Sequence, residues 1–178
     1  METEIFRIER CDTPTGPMLL VSDEQGRLRA LDWADHEARM HRLLNRYYRA
    51  APPVLHEASR ESAAKLAVLA YFEGQQGAIE ALPVATNGTV FQRQVWSALR
   101  DIPRGQTLSY GQLAKKIGRP SAVRAVGLAN GSNPIAIVVP CHRVIGANAS
   151  LTGYGGGLER KRWLLDHEAR GRQLAFVG

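Results

Sequence analysis

The sequence predicts an α+β (α/β) protein in two parts: a sheet-plus-helix domain with its linker over residues 1–85, and a mainly helical domain over residues 86–178. Three observations carry this reading. Short apolar runs of strand length, separated by turn residues, crowd into the first 33 positions. Helical spacing takes over at residues 36–72 and returns from residue 89. Charge divides the chain at the same place. Residues 1–85 hold 10 Lys/Arg against 13 Asp/Glu, and residues 86–178 hold 13 against 4, within a net charge of +6 over 178 residues. At 44% hydrophobic and 22% charged, the chain has the composition of an ordinary globular protein and can bury a sizeable core without staples.

Residues 4–9, 17–22 and 27–33 read as antiparallel strands broken by Thr13-Pro14-Thr15-Gly16-Pro17 and Glu24-Gln25-Gly26 turns. Residues 36–49 and 59–72 carry helical spacing, the second with Ala63, Leu66, Ala67, Ala70 and Tyr71 on one side. Gly74, Gly77, Pro83, Asn87 and Gly88 then punctuate a loosely patterned stretch that reads as a domain linker. A helix opens near Thr89, buries Phe91, Val95, Trp96 and Leu99, and stops at Ile102-Pro103. Ser109-x-x-Gln112 is a capping box for a short helix to Ile117. Gly118-Arg119-Pro120 breaks it, and Pro120 in a first turn starts another helix through Asn130. Two short helices about a glycine turn make a helix-turn-helix signature, with an ordinary αα-hairpin as the alternative. A buried strand at 135–139, a loop with a hairpin to Thr152 and a helix from about 158 to 168 complete the pattern.

Several function classes are excluded at this level. No aliphatic run is longer than that at residues 135–139, far below the ~20 apolar residues of a membrane span. The N-terminal Met1-Glu2-Thr3-Glu4 lacks the features of a signal peptide. Two cysteines, Cys11 and Cys141, make neither a disulfide framework nor a Cys-rich zinc site. These features predict a cytoplasmic protein with reduced thiols. Between Asp101 and Glu159 there is no acidic residue, while Arg104, Lys115, Lys116, Arg119, Arg124 and Arg143 lie inside. That points to a polyanionic partner.

The chemistry centres on Pro140-Cys141-His142-Arg143. A thiol is nucleophilic as thiolate, and a nearby imidazole or cation lowers its pKa from ~8.5 toward neutrality. His142 and Arg143 supply both. Neighbours on a strand point oppositely, so contact between Cys141 and His142 needs a turn or a bridging water. The bland alternative is a small buried hydrophobe. Gly153-Tyr154-Gly155-Gly156-Gly157 fails the dinucleotide pattern because position 158 is Leu, so a methyltransferase with a diffusible cofactor is disfavoured.

The segment from Asn133 to Gly146 resembles the active-site segment of O6-alkylguanine-DNA alkyltransferases. The likeness extends through Tyr110-Gly111-Gln112-Leu113-Ala114, Arg124-Ala125-Val126-Gly127, Thr152-Gly153-Tyr154-Gly155-Gly156-Gly157 and Trp163-Leu164-Leu165-x-His167-Glu168. It covers nearly all of residues 89–168, while residues 1–88 match in general layout. The resemblance implies a small ribonuclease H-like N-terminal domain, a winged-helix-like catalytic and DNA-binding domain, and no cofactor. It implies irreversible, single-turnover transfer of an alkyl group from O6-alkylguanine, and from O4-alkylthymine, to Cys141. His142 would deprotonate the thiol through a water, with Glu168 orienting the imidazole. Tyr110 would donate a proton near N3, and Asn133 would order the turn beneath Cys141. Val144 and Gly155 would offer backbone groups to the flipped base, and the loop carrying Tyr154 would close over it. Arg124, on the second helix of the helix-turn-helix, matches the family's intercalating arginine. The implied partner is double-stranded DNA, approached from the minor groove by a monomer able to cluster there.

Two other readings compete with it. A Cys–His hydrolase would show burst and turnover. A lesion-binding protein without chemistry would carry tryptophan where Cys141 stands. Vertebrate members of the family hold a structural zinc through N-terminal Cys and His ligands, but Cys11 has no second cysteine in its half, so no metal is expected. Longer bacterial members add a phosphotriester-repair domain with a transcriptional role. The likeness here is to the stand-alone bacterial form.

Overall fold

Residues 5–57 build a four-stranded sheet. In a computed structural model, which describes residues 3–148 and 150–177 and side chains up to residue 171, its strands are β1 (Ile5–Cys11), β2 (Met18–Ser22), β3 (Leu28–Trp33) and β4 (Val54–Glu57). The sheet order is β3-β2-β1-β4. The β1–β2 and β2–β3 pairs are antiparallel, as the turn-separated apolar runs predict. β4 adds a parallel edge, Ile5 opposite Val54. The sequence does not announce this strand: it is four residues long, follows Pro52-Pro53 and carries exposed His56 and Glu57, so it has no apolar alternation. Helix α1 (Glu37–Tyr47) closes one face through Met40, Leu43 and Leu44. Met40 and Leu44 join Phe6, Leu19, Val21, Ala30 and Tyr48 in one apolar cluster. Helix α2 (Ala63–Phe72) is capped by Ser62, whose side chain accepts from the Lys65 N–H.

The chain divides into two compact units: Met1–Asn87 with Pro134–Val138, and Gly88–Asn133 with Val139–Gly178. The expected strand at 135–139 is not formed. Only Ile135 bridges, to Leu31 of β3, with the Leu31 N–H donating to Pro134 O (3.0 Å) and the Ala136 N–H to Leu31 O (2.9 Å). Beyond it the backbone turns, and Ile137 takes a left-handed φ of 68°. A β-branched residue is held there only when its surroundings over-determine the conformation. Prolines at 134 and 140 bracket the segment, and an apolar run cannot distinguish a buried turn from a buried strand.

The second unit holds α3 (Val90–Arg100), α4 (Tyr110–Lys116), α5 (Val123–Gly131) and α6 (Leu158–Val177). α3 buries Val95, Trp96 and Leu99 as its spacing predicts, while Phe91 stays half-buried beneath the Arg119 guanidinium. The Ser109–Gln112 capping box is present, and Thr89 and Gln92 make a second one on α3. α5 begins at Val123 rather than at Pro120. Pro120 sits in a turn closed by Ala122 N–H to Arg119 O (3.0 Å), and its fixed φ suits that turn as well as a first helical turn. The expected hairpin before Thr152 is replaced by a parallel pairing of β5 (Leu108–Ser109) with β6 (Val144–Ile145), followed by a turn closed by Gly146 N–H to Ser150 O (2.8 Å). Among the described residues no helix is long and apolar enough to cross a membrane.

Candidate active site

The Pro140-Cys141-His142-Arg143 motif folds as a single 3₁₀ turn, Cys141–Arg143, between Pro140 and β6. A strand would send Cys141 and His142 to opposite faces. The tighter turn removes that constraint. Two asparagines hold it from below. Asn133 Nδ2 donates to Val139 O (2.7 Å), which also receives the Cys141 N–H (2.8 Å), and Asn130 Nδ2 donates to Cys141 O (3.4 Å). Asn130, near the end of α5, shows in the sequence only as the end of a helix.

All three side chains of the turn are buried, Cys141 at 8% exposure and His142 at 0%. His142 Nε2 lies 2.8 Å from Glu168 Oε1 on α6. A carboxylate only accepts, so Nε2 carries a hydrogen and donates it to Glu168. Among the described residues, no protein group hydrogen-bonds to the buried Nδ1. Glu168 is fully enclosed. Burial alone would raise its pKa, but the electrostatic pull of His142 and Arg143 and their hydrogen bonds hold the carboxyl well below the usual carboxylate range.

Arg143 is committed by hydrogen bonds to other groups: its Nε donates to Glu168 Oε2 (3.0 Å), one terminal nitrogen to Glu168 Oε1 (2.9 Å) and the other to Ile102 O (2.6 Å). A further cation that interacts with the Cys141 charge is Lys161, which is completely buried. Burial pushes the Lys161 ammonium down while the Cys141 charge opposes that shift. Its Nζ donates to Val144 O (2.6 Å) and Thr152 O (2.8 Å). Lys161 is hidden in the sequence because a lone lysine on a helix reads as solvated. The available signal is spacing: Lys161, Leu164 and Glu168 fall at i, i+3 and i+7, on one buried face of α6.

Both backbone groups of Val144 already have partners, its N–H on Cys141 O and its carbonyl under Lys161. A second lone pair on that carbonyl remains for a ligand. Gly155 lies in the turn Tyr154–Gly157, closed by Gly157 N–H to Tyr154 O (3.0 Å), and the Tyr154 hydroxyl is buried.

Tyr110 and Arg124 lie on α4 and α5. Tyr110 is half-buried at the start of α4. A Cβ built on Gly127 of α5 would meet its ring at 3.8 Å. α5 turns Val126, Ala129 and Asn130 inward and leaves Arg124 exposed. α5 is seated by Trp96, whose Nε1 donates to Ala129 O (2.8 Å). Gly88 makes room for that indole, because a Cβ there would collide with the Trp96 ring.

Comparison with known proteins gives an ordered match. Residues 7–86 match the family described as 6-O-methylguanine DNA methyltransferase, ribonuclease-like domain, and residues 90–170 match its DNA binding domain. The methylated-DNA–protein-cysteine methyltransferase of Shigella flexneri is 52% identical over 160 residues, covering 90% of this chain and 94% of that protein. The Methanosarcina acetivorans protein of the same name is 45% identical, covering 88% and 94%. The crystal structure of Mycobacterium tuberculosis O6-methylguanine methyltransferase is similar with a TM-score of 0.73 at 41% identity, covering 93% of both chains. The M. tuberculosis OGT in complex with DNA gives 0.72 at 38% identity, covering 93% of this chain and 94% of that one. This chain belongs to the 6-O-methylguanine DNA methyltransferase family.

Proposed function

We propose that this protein carries out direct-reversal DNA repair by moving an alkyl group from O6 of guanine onto Cys141. The observation that carries the assignment of roles is the buried line from the Cys141 turn through His142 to Glu168. With Nε2 committed to Glu168, Nδ1 is the nitrogen available as a base, and the thiol one residue away supplies its proton through one water. Sγ then attacks the alkyl carbon, and the S–C bond forms as the C–O6 bond breaks. The electron pair passes into the guanine ring, and Tyr110 donates a proton near N3 so that the base leaves without a full negative charge. Tyr110 regains its proton and His142 gives up the one it took, through solvent, so over the whole reaction guanine gains one proton for the one the thiol loses and the alkyl group ends on sulfur. A thioether is not reversed by thiol exchange, so each molecule reacts once.

The base must leave the duplex to reach a buried sulfur. Arg124 stands outward on α5, in a segment free of acidic residues. It fills the gap left by the extruded base while α5 lies in the minor groove, where sequence readout is poor and a lesion finder needs none. Single-turnover rates test this division of labour. Arg124→Ala slows repair of a saturating O6-methylguanine duplex about a hundredfold, the equivalent of a few kcal/mol of unstacking, and leaves reaction with free O6-benzylguanine near wild type. Tyr110→Phe slows both. Equal losses on both substrates for Arg124→Ala reject the extrusion role, and a protein whose mass gains no single methyl on Cys141 rejects the transfer.

A further inference from the structure

Arg143 is a buried charge for which alkyl transfer has no direct use. Its three donor contacts leave no freedom: two on the carboxylate of Glu168 and one on Ile102 O, at 4% exposure. Glu168 Oε1 is therefore shared between Arg143 and His142 Nε2. A buried carboxylate facing an imidazole with no other partner would draw a proton onto the ring. With a proton already on Nδ1, the ring could not take the one from the thiol.

We propose that Arg143 is a positioning residue for the thiol-activating base: by fixing both oxygens of Glu168 and offsetting its charge, it leaves His142 Nδ1 able to take the Cys141 proton. The inference rests on the role given to His142 above. Glu168 faces His142 from α6, and Lys161 on the same helix interacts with Cys141. Cys141 and Arg143 flank it in its own turn, and the Ile102 carbonyl after α3 accepts from Arg143. Arginine suits the task because it stays charged at every pH at which the thiol reacts. Removing a positive charge from this cluster makes its first proton harder to lose, so the acid limb of the thiol's reactivity moves to higher pH.

The test reads Cys141 itself, without an alkylated base. The full-length chain is treated with iodoacetamide from acid to alkaline pH, and modification is located on the Cys141 peptide by mass. In Arg143→Met the acid-limb midpoint rises by about one pH unit, so the rate near pH 7 falls about tenfold and recovers in alkali. Arg143→Lys keeps the charge and keeps the midpoint within a few tenths of wild type. Should Arg143→Met fail to fold, the double variant Arg143→Met/Glu168→Gln removes both charges. Its midpoint then stays with wild type, because the neutral amide needs no cation. An Arg143→Met rate lowered equally at every pH, an Arg143→Lys midpoint shifted as far as the Met variant's, or a double-variant shift of a full unit overturns the proposal. A wild type that reacts with iodoacetamide on this profile but takes no methyl from DNA instead defeats the repair reading and leaves the role of Arg143 standing.

Discussion

Cys11 and Cys141 are both buried, at 2% and 8% exposure, yet their surroundings treat the sulfur in opposite ways. Cys11 ends β1, and burial pushes its thiol up to about 11, an effect larger than the opposing pull of Lys65. The carboxylates of Asp12 and Glu9 add to the rise. Cys141 sits in a 3₁₀ turn beside a buried imidazole, and a fully buried ammonium, Lys161, interacts with its charge. Burial alone silences a thiol. On the proposed reading, activation draws on a base and on a cation whose field is not screened by water, and one helix and one turn of the second unit bring these two groups to Cys141.

The largest effect expected from this contrast is all-or-none. Cys141→Ala abolishes methyl uptake from an O6-methylguanine duplex, while Cys11→Ala leaves the single-turnover rate unchanged. Methyl found on the Cys11 peptide by mass spectrometry breaks the comparison. Next, His142→Ala slows transfer about a hundredfold near pH 7 and recovers part of the loss in alkali, where the thiol ionises unaided. The measurement is the full pH–rate profile, and a profile parallel to wild type removes the base from the account. The smallest effect belongs to Cys11. Its thiol ionises near 9.0 in an ordinary setting and near 11 when folded, so the unfolded chain gives up the proton first. The stability it contributes is complete below that lower value and is lost as the pH rises toward the upper one. Denaturant midpoints therefore fall more steeply between about pH 8 and about pH 10.5 in wild type than in Cys11→Ala. Identical slopes for the two proteins contradict the buried-thiol picture.

Much of this architecture is legible in the amino-acid sequence. Pro140-Cys141-His142-Arg143 names the nucleophile, Ser109 and Gln112 announce a capped helix, and the spacing of Val95, Trp96 and Leu99 places the buried stripe of α3. Legibility ends where local pattern and tertiary context part company. An aliphatic run from Ile135 to Val139 satisfies the signature of a buried strand, but the left-handed Ile137 between two prolines makes it a turn. Arg143 beside Cys141 in the chain suggests a cation for the thiol, and only the return of α6 shows its charge committed to Glu168. Lys161, 20 positions from the cysteine, reaches it because the same helix brings both residues to one buried face. Adjacency in sequence overstates one cation and hides the other.

The near-complete burial of Cys141 also bears on how such a protein ages. A catalyst that cycles must reopen to let its product out, and that opening often limits its rate. Here the acquired alkyl group stays on the sulfur, so the pocket must release the restored base once and never the alkyl group. Cys141, at 8% exposure, need not be reopened for a second substrate. Each molecule is used once, and nothing in its architecture has to serve a second round.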